Sequence, residues 1–94
     1  MSSLDSTTRL RRSPNATYQT VADEAILIHM QTGTYYSLNE VGTVFWDVLD
    51  GTKSIADCAV MIAAEYDAPS EMIEGDLIEV AQDLVREGLA EKAP

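Results

Sequence analysis

The chain is poor in the residues that most site chemistries need. One cysteine, Cys58, and one histidine, His29, stand among 94 residues. A single thiol excludes an internal disulfide and any zinc site built on cysteines, and one imidazole adds too few ligands for a metal cluster. No cofactor is expected. There is no glycine-rich phosphate loop and no nucleophile in a recognisable motif. Basic residues are scarce too, six against sixteen acidic, for a formal charge of −10. Nucleic acid is bound by Lys and Arg that displace counterions, so a nucleic-acid partner is disfavoured. No apolar run approaches the roughly 18 residues that cross a bilayer, and the N-terminus lacks the apolar core of a secretory signal. A cytoplasmic location without a membrane partner is expected. In that setting the sequon Asn15-Ala16-Thr17 carries no weight. An enzyme is not expected from so short a chain without a convergent polar site, whereas a binding module is.

What is present points to one small folded domain. The hydrophobic share, 46%, is that of an ordinary globular chain. Residues 1–13 are rich in Ser, Thr and Arg and show no periodicity, so they read as a disordered arm. Arg9, Arg11 and Arg12 against Asp5 give that arm +2 and leave −12 for the rest. The folded domain is expected over residues 14–92. Residues 17–21 have the β-branched and aromatic content of a first strand. Asp23-Glu24 turns the chain into residues 25–30, a nearly continuous apolar run that reads as a central strand. His29 lies in that run and reads as a packed side chain. Gln31-Thr32-Gly33 turns the chain again.

The stretch from 32 to 51 organises the remainder. A short aromatic strand over residues 34–38 ends at Asn39, a helix cap. An amphipathic helix over 40–50 follows, with Gly51 as its stop. Ser54 caps a second helix over 55–66, in which Cys58 is a small core residue. Pro69 and Ser70 open a third helix over 71–87. The expected core comprises Ile26, Ile28, Leu38, Val44, Phe45, Leu49, Ile62, Ile73, Leu77, Val80 and Leu84, with Trp46 as a structural aromatic. The fold class is thus α+β: a three-stranded antiparallel sheet followed by three helices, in a winged helix-turn-helix-like outline.

The third helix has two characters. Ile73, Leu77, Val80 and Leu84 form a core stripe, and Ile78, Ala81 and Val85 widen it. Asp76, Glu79, Asp83 and Glu87 form an acidic stripe with like charges at i,i+4, which suits a solvated face or a surface for a basic partner.

The order of these elements resembles a known family. The run Tyr36-x-Leu38-Asn39-x-x-Gly42, then Trp46-x-x-Leu49-Asp50-Gly51, is similar to the PqqD-like proteins, or RiPP recognition elements, which serve ribosomally made, post-translationally modified peptides. Glu65-Tyr66-Asp67, Asp76 and the closing Glu87-Gly88-Leu89 also resemble that family, over about residues 17–90. The resemblance implies a partner, the leader segment of a precursor peptide, bound as an added strand on the third strand. It implies presentation to a separate maturation enzyme, such as a leader peptidase or a radical enzyme, with lasso-peptide biosynthesis favoured and pyrroloquinoline quinone biosynthesis as the other model. Carried onto this chain, the peptide-binding residues are Thr34, Tyr35, Tyr36, Ser37 and Leu38 on the strand. On the third helix they are Asp76, Leu77, Val80, Asp83 and Leu84. An acidic protein–protein adaptor and a winged-helix nucleic-acid binder are the competing readings.

Overall fold

The computed structural model describes residues 4–94. In chain order the elements are β1 (Arg9–Arg12), β2 (Ala16–Val21), β3 (Glu24–His29), β4 (Tyr35–Ser37), α1 (Glu40–Asp47), β5 (Asp50–Ser54), α2 (Ile55–Tyr66), α3 (Ser70–Arg86) and β6 (Ala90–Lys92). They form an α+β domain with two antiparallel sheets, ordered β2-β3-β4 and β5-β1-β6.

The meander β2-β3-β4 follows from local chemistry. Ala22 and Asp23 both adopt positive φ, as a two-residue hairpin turn requires. The turn therefore sits one residue earlier than Asp23-Glu24, and Glu24 opens β3. β3 is the central strand, as its apolar run suggests. Its phase, however, is the reverse of that expected. Ala25, Leu27 and His29 face the core, while Ile26 and Ile28 are each 40% exposed. A continuous apolar run has no alternation from which to read a phase, and a one-residue change of phase turns every side chain to the other face. Val44 and Val80 sit at the core margin rather than inside it.

The second sheet corrects the expectation of a disordered arm. Of residues 1–13, the first three lie outside the described residues, and Arg9–Arg12 form the middle strand β1. Leu10 is fully buried, and Leu4 joins the same core. The Ile55 N–H donates to the Thr8 carbonyl at 2.9 Å, and the Ser13 N–H to the Leu89 carbonyl at 3.0 Å. β1 is held by partners forty to eighty residues away, so no local pattern announces it.

The same sheet shortens α1. That helix ends at Asp47, and Gly51, with φ +87°, bends β5 beside Arg11 rather than closing a helix. Asp50 Oδ1 accepts from the Thr52 N–H at 2.9 Å and from its hydroxyl at 2.6 Å, which shapes the start of β5. These bonds pull the exposed Asp50 carboxyl down to a pKa of about 2.

The caps are chemically plain. The Gly42 N–H donates to Asn39 Oδ1 at 2.8 Å. Ser54 and Asp57 exchange bonds in a capping box at the start of α2. Ser70 does not cap α3; it is the first helical residue, behind Pro69, which offers no side-chain cap.

The core lies between the meander and the helices. Phe45, Trp46, Ile55, Ile62, Leu77, Leu84 and Leu89 are its large buried members, with Cys58 among them. Burial pushes the Cys58 thiol pKa up, which keeps it neutral. The Tyr18 ring meets Trp46 edge-on at 5.7 Å, and the Arg12 guanidinium carbon lies 5.9 Å from the Trp46 ring centre. Thr43 ties α1 to β3, because its hydroxyl accepts from the Ala25 N–H at 2.9 Å. His29 is packed, with Nδ1 accepting from the Gln31 and Thr32 N–H groups at 3.2 and 3.3 Å. Among the described residues no helix is long and apolar enough to cross a membrane.

Candidate functional site

β4 uses one of its two edges. Tyr35, Tyr36 and Ser37 stand opposite Ile28, Leu27 and Ile26 of β3. The ladder continues at both ends: the His29 N–H donates to the Thr34 carbonyl and the Leu38 N–H to the Ala25 carbonyl, each at 2.8 Å. Beyond β4, among the described residues, no further strand pairs. An unpaired edge presents a row of free N–H and C=O groups.

That edge borders a groove of about 380 Å³. Tyr36, Asn39, Val41 and Gly42 line one side of it, and Asp76, Leu77, Glu79, Val80 and Asp83 of α3 the other. The cap at Asn39 brings the first turn of α1 to the groove. Gly42 is small there for a packing reason, since a Cβ would lie 3.1 Å from the Leu38 side chain. On α3, Ile73, Leu77, Ala81 and Leu84 are buried, which turns Asp76, Glu79, Val80 and Asp83 to the flank that faces the groove. The result is an apolar strip with carboxylates beside it.

One hydrogen bond joins the two sides. The Tyr36 hydroxyl donates to Asp83 Oδ2 at 2.7 Å. Asp83 Oδ1 pairs with Arg86 at 2.9 Å, and Arg86 also meets Glu87 at 3.4 Å. Burial, and then the bond to Asp83, push the Tyr36 phenol up to a pKa of about 12, so it remains a proton donor throughout the neutral range. The bonds to Glu87 and Asp83 likewise raise the Arg86 pKa. The acidic stripe is therefore less uniform than its spacing suggests. Asp83 and Glu87 share Arg86, while no ion pair reaches Asp76 or Glu79 among the described residues.

The expected site residues separate into three groups. Tyr36, Asp76, Val80 and Asp83 come together in the groove, with Leu77 fully buried behind them. Tyr35 and Ser37 lie on β4 but point to the opposite face of the sheet from Tyr36, and Thr34 lies in the preceding turn. Leu38 and Leu84 are core residues, with almost no surface to offer a ligand. Asn39, Val41, Gly42 and Glu79 line the groove without having been singled out as site residues. Asn39 and Gly42 carry a signal in the sequence, since both stand in the Tyr36-to-Gly42 run that resembles the family. Among the described residues no group of three metal-ligating side chains occurs.

Comparison with known proteins gives this geometry its family. The family model of coenzyme PQQ synthesis protein D, PqqD, matches residues 24–90. The chain belongs to the PqqD family. A PqqA binding protein from Xanthomonas oryzae pv. oryzae (strain PXO99A) is 33% identical over 80 residues, 85% of this chain and 85% of that protein. Another, from Xanthomonas campestris pv. campestris (strain 8004), is 32% identical over 82 residues, 87% of each. Among solved structures, TbiB1 in complex with the TbiA(beta) leader peptide matches with a TM-score of 0.76 at 32% identity, over 86% of this chain and 94% of that one. A lasso peptide synthetase B1 complexed with the leader peptide shares the fold at a TM-score of 0.76 and 23% identity, over 88% and 98%. These similarities group the chain with the PqqD-like RiPP recognition elements.

Proposed function

We propose that this PqqD-family chain binds the leader segment of a ribosomally made precursor peptide as an extended strand on the free edge of β4. The observation that carries the reading is the unpaired edge lying beside a groove of mixed apolar and acidic character. Strand addition draws affinity from the main chain and specificity from pockets that receive alternate side chains. The relatives support it: those from Xanthomonas are named for binding PqqA, and TbiB1 is seen in complex with the TbiA(beta) leader peptide. Tyr36, Asp76 and Val80 are the residues that would meet the leader's inward side chains, with Asn39, Val41 and Glu79 beside them and Leu77 buried behind. The protein is a non-catalytic carrier that hands the precursor to a separate maturation enzyme in the cytoplasm. Lasso-peptide maturation with a separate leader peptidase is the favoured pathway, on the strength of the sequence resemblance.

The winged-helix nucleic-acid reading lacks its chemistry. α2 carries no basic residue and α3 only Arg86. A phosphate backbone would meet carboxylates.

The test is a titration with synthetic leader segments of precursor peptides from the same genome, with the TbiA(beta) leader beside them, followed by amide hydrogen exchange. Protection should rise across β4 and α3 on peptide addition. Protection confined to α1 and α2, or a peptide bound as a helix, would contradict strand addition. An acidic adaptor would show no affinity for the leader at all. Reconstitution with a leader peptidase from the same genome tests the pathway, which predicts faster leader cleavage when this chain is present.

A further inference from the structure

The groove contains a bond that its binding role alone does not call for. Tyr36 belongs to β4 and Asp83 to α3, and their 2.7 Å hydrogen bond joins the two sides of the groove. Both Asp83 oxygens are engaged, Oδ2 by the phenol and Oδ1 by Arg86. The carboxylate is therefore already partnered on both oxygens, and Arg86, which it shares with Glu87, competes with any leader cation for it. A strand added to β4 must send every second side chain into the groove. Such a side chain meets the Tyr36–Asp83 bond at one end. Toward the other end lie Val80, Leu77 and Asp76.

We propose that the Tyr36–Asp83 hydrogen bond is a strut that closes one end of the groove and so sets the leader's register, with Tyr36 and Asp83 positioning the peptide. This rests on the leader-binding reading above. Inward side chains face Val41 and Val80, and the strut bounds the groove at its Asp83 end. Asp83 thereby changes role, from a contact for a basic partner to part of the frame.

The experiment is a double-mutant cycle on leader affinity, read by calorimetry, with thermal melts of each variant to show that it is folded. The probe is the synthetic leader that binds tightest in the titration above, together with a copy whose inward-facing residues are shifted by two positions. Tyr36→Phe keeps the buried ring and removes only the donor. It should weaken the native leader about tenfold, the scale of one hydrogen bond to a charged group. Asp83→Ala should do the same, and the double variant should lose no more than either single. Asp83→Asn, which keeps an acceptor for the phenol, should restore most of what Asp83→Ala loses. Discrimination against the shifted leader should shrink in Tyr36→Phe. A direct ionic contact at Asp83 predicts the opposite pattern: Asn as weak as Ala, strong salt dependence and additive effects. That pattern overturns the strut while leaving leader binding intact. A wild-type chain with no affinity for the leader overturns both.

Discussion

The two sheets differ in what they leave open. In β2-β3-β4, the edge of β4 is unpaired and the outer face is apolar, with Val21, Ile26, Ile28 and Tyr35 exposed, Tyr35 at 72%. In β5-β1-β6, the strands are short and charged: Arg11 meets Glu91 at 3.5 Å and Lys53 meets Asp50 at 3.4 Å. Charge and brevity are the devices that keep a sheet edge from pairing further. The small sheet also ties the first described residues to the last through β1 and β6. One sheet closes the domain and the other leaves an edge open, and the two differ in the charge carried along each edge.

The comparison breaks most readily at its shared core. Trp46 is fully buried beneath Tyr18 and Arg12, residues of the two different sheets. Trp46→Ala should lower unfolding free energy by about 3–5 kcal/mol in denaturant titrations. A variant that melts like wild type but loses the leader would instead place Trp46 in the binding site. Leu10→Ala tests the small sheet alone. Leu10 is 1% exposed, so about 2–4 kcal/mol should be lost; a mere tail would lose nothing. The meander is then probed by a pair on adjacent positions. Leu27→Ala should cost about 2–4 kcal/mol and Ile26→Ala clearly less, because only Leu27 faces the core. Equal costs would mean that the strand is held in the other phase.

The contrast between the sheets also explains what could be read from the residues in advance. The hairpins of the meander join neighbours in sequence, so turn residues and strand residues announce them. The caps at Asn39 and Ser54 are likewise set within four residues. β1 has one apolar residue in four, and its partners lie at 50–54 and 90–92. Nothing near Arg9–Arg12 distinguishes it from a polar tail. Ile26 and Ile28 were assigned to the core because an unbroken apolar run carries no phase; Thr43, bonding to Ala25, is among the contacts that hold the phase it adopts. At the groove, it is the resemblance to the PqqD-like proteins, laid on the amphipathic spacing of α3, that points to Asp76, Leu77, Val80 and Asp83. It could not show that Asp83 is held by Tyr36, since that bond joins residues 47 apart in sequence.

A smaller, salt-sensitive effect belongs to the acids that Arg86 does not reach. Asp76→Asn with Glu79→Gln should change leader affinity a few-fold at low salt if the leader carries a cation near them, and the change should fade as salt rises, because exposed charges are screened within about 10 Å at 0.1 M. An affinity unmoved at every salt concentration would leave the groove's apolar strip as the source of binding.

The smallest expected effect concerns alkali. The Tyr36 phenol titrates at about 12 in the folded chain against an ordinary 10.0. Between those values the folded state holds a proton that the unfolded state has released, so unfolding free energy falls as pH rises. The contribution of this group is whole below pH 10 and is gone once the phenol ionises near 12. Ionised, Tyr36 would face the Asp83 carboxylate as a second negative charge and the bond between β4 and α3 would be lost. In Tyr36→Phe no such proton exists, so the stability of wild type should fall more steeply than that of the variant over this window. Both share the remaining alkaline titrations, notably those of Tyr66 and Cys58, whose pKa values are also raised. Denaturant midpoints measured for the two proteins from pH 9 upward give the comparison directly. Parallel curves would mean that the phenol is not held by Asp83 in solution, and the two sides of the groove would then be independent.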